Sequence, residues 1–144
     1  MFVPHYAMSG GTLIALAADE VVMDRNAVLG PIDPQLSTRH GAMPAVSILK
    51  IPEHKEWKDI DDQIVVLYDQ ASKILNQMKQ YVQYLINDRA SGRADKIINR
   101  LVKGQVTHDY PVFFDEARKL GLPVSDKMPG FIYRLMSLYP FLRF

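Results

Sequence analysis

Apolar positions recur every three or four residues at Ile60, Ile64, Leu67, Ala71, Ile74, Met78, Tyr81 and Leu85, with Tyr68, Leu75 and Val82 widening the stripe. This spacing is the amphipathic signature and predicts one long helix over residues 59–89. Asp59, Asp61 and Asp62 stand at its start, where the helix dipole favours negative charge. At 1.5 Å per residue such a helix spans ~45 Å. That exceeds the reach of a small core, so part of it is expected to pack on another subunit or domain.

The rest of the pattern is broken into short pieces. Residues 1–3 read as the end of a strand, and Pro4, Ser9, Gly10 and Gly11 mark a tight turn. Residues 12–19, rich in Ala and Leu, suit a buried helix. Residues 20–23 read as a short buried strand closed by Asp24 and Asn26, and 27–29 as a second extended run ended by Gly30-Pro31. Residues 30–58 are punctuated by Pro34, Gly41, Pro44 and Pro52 and are expected to form a long loop, a length that usually marks function or mobility. Further short helices are expected over 94–102, with Gly104 as its cap, over 113–120, stopped by Gly121, and over 129–138, with Pro129 in its first turn. Residues 105–110 read as strand or loop and 122–124 as extended. Repeats and low-complexity tracts are absent.

The chain has 144 residues and a mass of 16.4 kDa, the size of one domain or part of one. Seventeen basic residues against sixteen acidic give a net charge of +1, with no basic stripe, so no nucleic-acid partner is expected. The absence of cysteine excludes disulfide scaffolds, thiol catalysis and thiolate metal sites. No apolar run approaches the ~20 residues of a membrane span, and the first residues lack the charged region of a signal peptide. The first informative motif begins within five residues of Met1, which raises the expectation of an amino-terminally truncated chain.

The candidate chemistry starts at Ser9. The segment Tyr6-Ala7-Met8-Ser9-Gly10-Gly11-Thr12 places a serine where an extended segment runs into a helix. Gly10 and Gly11 let a substrate carbonyl approach the backbone. The first amides of a helix lack intrahelical partners and can stabilise an oxyanion. A serine here also suits an N-cap, which is the default reading of the local pattern, and a glycine-rich helix start can bind phosphate.

Wider context adds weight to the nucleophile. The segments 3–12, 15–22, 23–35, 44–50, 107–111, 116–124 and 136–140 together resemble ClpP-class serine peptidases of the crotonase-type fold. The likeness is to the signal peptide peptidase A branch, and within it to the serine dehydrogenase proteinases. It extends over nearly the whole chain. It implies an α/β, ClpP/crotonase-like spiral fold, partial here, with short strands and a long amphipathic helix, forming a single domain over 1–144. It also implies a serine endopeptidase working through an acyl-enzyme on protein or peptide substrates, with no cofactor. Ser9 aligns with the family nucleophile, and Gly10 with the residue whose amide forms half the oxyanion hole. The other half comes in such proteases from an upstream glycine turn, and their membrane association from an amino-terminal segment. Neither is in this chain, which by the resemblance corresponds to the carboxy-terminal half to two-thirds of the protease. The side of the membrane is not given by the sequence. No Gly-x-Gly-x-x-Gly fingerprint is present, and the family label implies no dehydrogenase activity.

The base is less plainly written. Clp protease subunits carry a histidine in an Ile-His-Gln-Pro context, where this chain reads Ile32-Asp33-Pro34-Gln35. The Clp aspartate, seven residues ahead of a Glu-Ala pair, maps onto Asp109. Signal peptide peptidase relatives use a Ser–Lys dyad instead, with the lysine ahead of the long helix. Lys50 and Lys55, 41 and 46 residues past Ser9, fit that placement, with Lys58 as a third. A lysine base must be neutral near pH 7, and the run Ala45, Val46, Ile48, Leu49 and Ile51 offers burial for Lys50. Position ahead of the helix favours Lys55. His108, beside Asp109, is the alternative base. His5 is a candidate groove residue or a hydrogen-bonded structural histidine. His40 and His54 have no second ligand at metal spacing, so no metal site is expected.

Two other functions compete. One is a catalytically inactive ClpP-like assembly domain. The other is a crotonase-type acyl-CoA enzyme, which the serine at a helix start disfavours. The long helix and the resemblance both point to a homo-oligomer.

Overall fold

The computed structural model describes residues 1–39, 41–86 and 92–139. His40, Pro140 and residues 87–89 of the expected long helix lie outside the described residues. Mixed α/β structure is observed, with eight short strands and six α-helices among the described residues.

The chain enters through two strands of two residues each, β1 (Phe2–Val3) and β2 (Tyr6–Ala7), separated by Pro4-His5. Proline has no amide hydrogen to give to a ladder, and the chain changes sheet there. After α1 (Gly10–Leu16) the same step recurs: β3 (Val21–Met23) and β4 (Val28–Leu29) are separated by a turn in which Asp24 accepts the backbone N–H groups of both Asn26 and Ala27. Each pair then lines up with the other. β3 pairs parallel to β1, with Val3 opposite Met23, and β4 pairs parallel to β2, with Ala7 opposite Leu29. The sheets are completed late in the sequence. β7 (Val112–Phe113) adds antiparallel to β4, and β8 (Val124–Ser125) adds parallel to β3.

Alternation along these strands sets the core. Val3, Met23, Leu29 and Val112 are almost wholly buried, while Phe2, Tyr6 and Phe113 are exposed on the opposite face. α4 (Ala94–Leu101) and α5 (Phe114–Leu120) bring Ile97, Leu101, Phe114 and Ala117 against the same core. Gly121 ends α5 with φ +92°, and Leu122 N–H reaches back to Ala117 O at 3.1 Å, the left-handed closure expected at that glycine. α6 (Gly130–Ser137) follows Pro129 as its N-cap and buries Ile132. Its Tyr133 hydroxyl donates to Asp24, tying the last helix to the β3–β4 turn.

Two expectations are corrected. Residues 30–58 are not one loop. They hold a hairpin of β5 (Gln35–Thr38) and β6 (Gly41–Pro44), the short helix α2 (Ala45–Leu49), and two 3-10 turns at Ile51–Glu53 and Trp57–Asp59. The prolines and glycine fall at boundaries: Gly41 turns the hairpin with φ +107° and Pro44 caps α2. α2 is then held because Ala45 and Ile48 bury against Ala71 of the long helix. That helix, α3 (Asp62–Ile86), starts later than residue 59, because the Asp61 carboxylate accepts the Gln63 N–H at 2.8 Å and caps it. Over its 25 residues it runs about 37 Å, and it keeps Val66, Tyr81 and Tyr84 exposed. No helix among the described residues is long and apolar enough to cross a membrane.

Candidate active site

Ser9 stands between β2 and α1 with φ 50° and ψ −114°. Those angles are close to the first central position of a type II′ turn, which glycine normally takes. Gly11 N–H donates to Met8 O at 2.8 Å and closes that turn, and Leu13 N–H to Ser9 O opens the helix. Ser9 is the one non-glycine residue with positive φ among those described. It sits at the N-cap position, yet its hydroxyl makes no capping hydrogen bond. The N-cap expectation therefore holds for the position of Ser9 but not for its hydroxyl. A conformation of this kind stores about 1–3 kcal/mol, and it is the one a sharp strand-to-helix turn uses to push a nucleophilic serine outward. A side chain built on Gly10 would meet nothing within 4 Å, so the space beside the Ser9–Gly10 peptide is open.

Below the turn the packing is tight. Thr12, fully buried, donates its hydroxyl to Ala7 O at 2.6 Å and accepts the Gly30 N–H at 2.9 Å. A Cβ on Gly30 would fall 2.5 Å from Met8 Cε and 2.8 Å from its Sδ, so only glycine lets Met8 lie there. The segment that follows, Pro31-Ile32-Asp33-Pro34, is buried, and Ile32 N–H is held by Leu101 O at 2.7 Å.

Asp33 gathers a second set of polar contacts. Its carboxylate is only 3% exposed, and Oδ1 lies 2.8 Å from His108 Nδ1. Gln35 Nε2 donates to the other oxygen at 2.7 Å. His108 keeps 38% of its side chain exposed and sits in a turn closed by Tyr110 N–H to Thr107 O. That turn is anchored in turn by Tyr110, whose hydroxyl donates to Glu116 Oε2 and whose ring carries the Arg100 guanidinium 4.6 Å from its centroid. Arg100 also pairs with Glu116 at 2.7 Å, which holds its pKa above the usual value. A carboxylate facing Nδ1 is the arrangement that orients a histidine ring to work through Nε2.

The other expected site residues are placed elsewhere. Asp109 is exposed and turned to the Thr107 hydroxyl, which lowers its pKa. Lys50 is exposed, so the burial expected from its apolar neighbours is not found. α2 turns Ala45 and Ile48 inward and leaves the lysine at its C-terminal end in solvent. Lys55 is exposed along an open groove with Pro52, His54 and Trp57, and Lys58 pairs with Glu56. His5 is exposed on the approach to the turn. No group of three His, Asp or Glu residues able to hold a metal is found among the described residues.

The sequence profile of the ClpP-like SDH-type serine proteinases matches residues 1–142. The chain belongs to this family. An uncharacterized protein of Methanocaldococcus jannaschii is 49% identical over 140 residues, covering 96% of this chain and 48% of that protein. A second uncharacterized protein of the same organism is 42% identical over 141 residues, covering 97% of this chain and 47% of its own length. The chain thus spans about half the length of the curated relatives it matches. No solved structure matches it.

The pairing of Asp33 with His108 does not follow from local sequence pattern. Asp33 occupies the position of the Clp histidine, and His108 adjoins the position of the Clp aspartate. An acid where a base is expected, and a base beside the place of an acid, was the available signal.

Proposed function

We propose that the chain carries the nucleophile and base of a serine endopeptidase that cleaves protein or peptide substrates through an acyl-enzyme. The strained backbone of Ser9 is the observation that carries this reading. Strain is kept where the surroundings over-determine it, commonly at a reacting group. In this reading Ser9 Oγ attacks the scissile carbonyl and the Gly10 N–H donates to the developing oxyanion. His108 Nε2 takes the Ser9 proton and later returns it to the leaving amine, while Asp33 holds the ring and balances the imidazolium.

Ser9 and Asp33 are tethered to one another from below. Thr12 joins Ala7 to Gly30, and Asp33 follows Gly30 by three residues, at most about 11 Å of extended chain. Catalytic hydrogen bonds often tighten only when substrate binds. A second oxyanion donor, a membrane tether and assembly into a homo-oligomer through the exposed residues of α3 belong to the same proposal. They rest on the resemblance and on the length of the relatives.

The test is labelling of the full-length protein by a fluorophosphonate, mapped by mass spectrometry. Label is expected on Ser9. It should be lost in Ser9→Ala, fall by about 10² or more in His108→Ala, and persist in Lys50→Ala and Lys55→Ala. Loss in Lys55→Ala with retention in His108→Ala would return the base to a lysine. An unlabelled Ser9 in folded protein would leave a catalytically inactive assembly domain.

A further inference from the structure

The last rung of the β2–β4 ladder is made by a side chain. Ala7 pairs with Leu29, and the next groups along, Ala7 C=O and Gly30 N–H, are bridged by the Thr12 hydroxyl at 2.6 and 2.9 Å. Thr12 lies three residues after Ser9, and Gly30 three residues before Asp33. The bridge therefore joins the turn that carries the serine to the segment that carries the acid. Its environment makes it exacting. Thr12 has no exposed surface, Gly30 is buried, and the end of the Met8 side chain lies over Gly30. A valine has nearly the shape of threonine without the hydroxyl, and would leave a buried carbonyl and a buried amide unpaired.

We infer that Thr12 is a positioning residue for this site: its hydroxyl sets the spacing between Ser9 and the Asp33–His108 pair. The inference rests on the reading of Ser9, Asp33 and His108 given above. It makes no contact with substrate necessary, and it assigns Thr12 a task distinct from helix stability. The methyl group fills space, whereas the hydroxyl carries the link. Thr12→Ser and Thr12→Val separate the two.

The experiment is a double-mutant cycle in the full-length protein, reading the rate of Ser9 labelling by a fluorophosphonate. Thr12→Ser should restore the parent rate to within about threefold. Thr12→Val should lower it by about tenfold or more, with the variant still folded by circular dichroism at the assay temperature. In the parent, His108→Ala should cost about 10² or more. In the Thr12→Val background it should cost no more than about threefold, because the base no longer reaches the serine. An equal cost of His108→Ala in both backgrounds overturns the inference and leaves Thr12 as packing. Should Thr12→Val not fold, the same cycle is run in Thr12→Ala, which also removes the hydroxyl link. A second readout stands apart from catalysis. Exchange of the Gly30 amide with deuterium should be fast in Thr12→Val and slow in Thr12→Ser. Equal exchange in the two overturns the link even if Ser9 proves unreactive, while fast exchange with no effect of His108 on the parent rate places the failure in the proposed mechanism.

Discussion

Asp33 and His108, 75 residues apart in the sequence, meet at 2.8 Å with the acid buried and the ring half open to solvent. That order of exposure suits an acid that orients and a base that reacts. Asp33→Asn keeps the shape and the hydrogen-bonding size of the side chain but removes its charge and leaves the ring free to adopt the wrong tautomer. Labelling of Ser9 should fall by about 10², no more than His108→Ala costs, with the melting temperature little changed. Second-order labelling rates measured beside thermal denaturation check both halves.

Ser9 bears a conformational cost that glycine would not. Ser9→Gly and Ser9→Ala should both abolish labelling, yet differ in stability. The glycine variant should be more stable than the alanine variant by about 1 kcal/mol, a shift of ~3 °C in Tm for a domain of this size. Equal melting temperatures would show that the positive φ is not strained here.

Gly121 turns with φ +92°, and a Cβ there would fall 2.5 Å from Arg93 Cδ. The arginine can swing aside, but the backbone angle cannot be recovered. Gly121→Ala should destabilise by about 1–2 kcal/mol, read as a lower midpoint in urea with an unchanged slope.

Asp24 has its pKa lowered first by the Tyr133 hydroxyl and then by the Asn26 amide, and Tyr133 has its pKa raised by Asp24. A depressed acid favours the folded state above its unfolded pKa of about 3.9 and loses that contribution as pH falls through the folded value. A raised phenol contributes below its unfolded pKa of about 10 and loses it as pH rises through the folded value. The tie between α6 and the β3–β4 turn should therefore hold between about pH 4 and pH 10 and weaken outside. Fluorescence of a probe on α6, compared between the parent and Tyr133→Phe, should show both transitions in the parent and neither in the variant.

Much of the fold was legible where one local rule decides. The α3 stripe, the Gly121 stop and the strands at 21–23 and 28–29 all follow from short-range pattern. In the 30–58 region the prolines and glycine do not mark a loop but stand at the ends of β5, β6 and α2. What holds those elements is contact with Ala71, which no local pattern contains. At the site, the Ser-Gly-Gly motif marks the turn at Ser9, but not that Ser9 withholds its hydroxyl from the helix. The partner of Asp33 is hidden for a different reason: the two residues are 75 apart in sequence and meet only in the tertiary fold, where β7 pairs with β4.

That separation has a kinetic consequence. The Asp33–His108 contact closes a loop that holds the hairpin, α2, α3 and α4, and β7, which fixes the His108 turn, must pair with β4 across the same span. Such closure is entropically expensive and comes late in folding. Newly made chains would then present the serine turn, built from neighbours in sequence, well before they present its base. In the proposed mechanism, the serine turn would gain its base only once β7 has paired with β4.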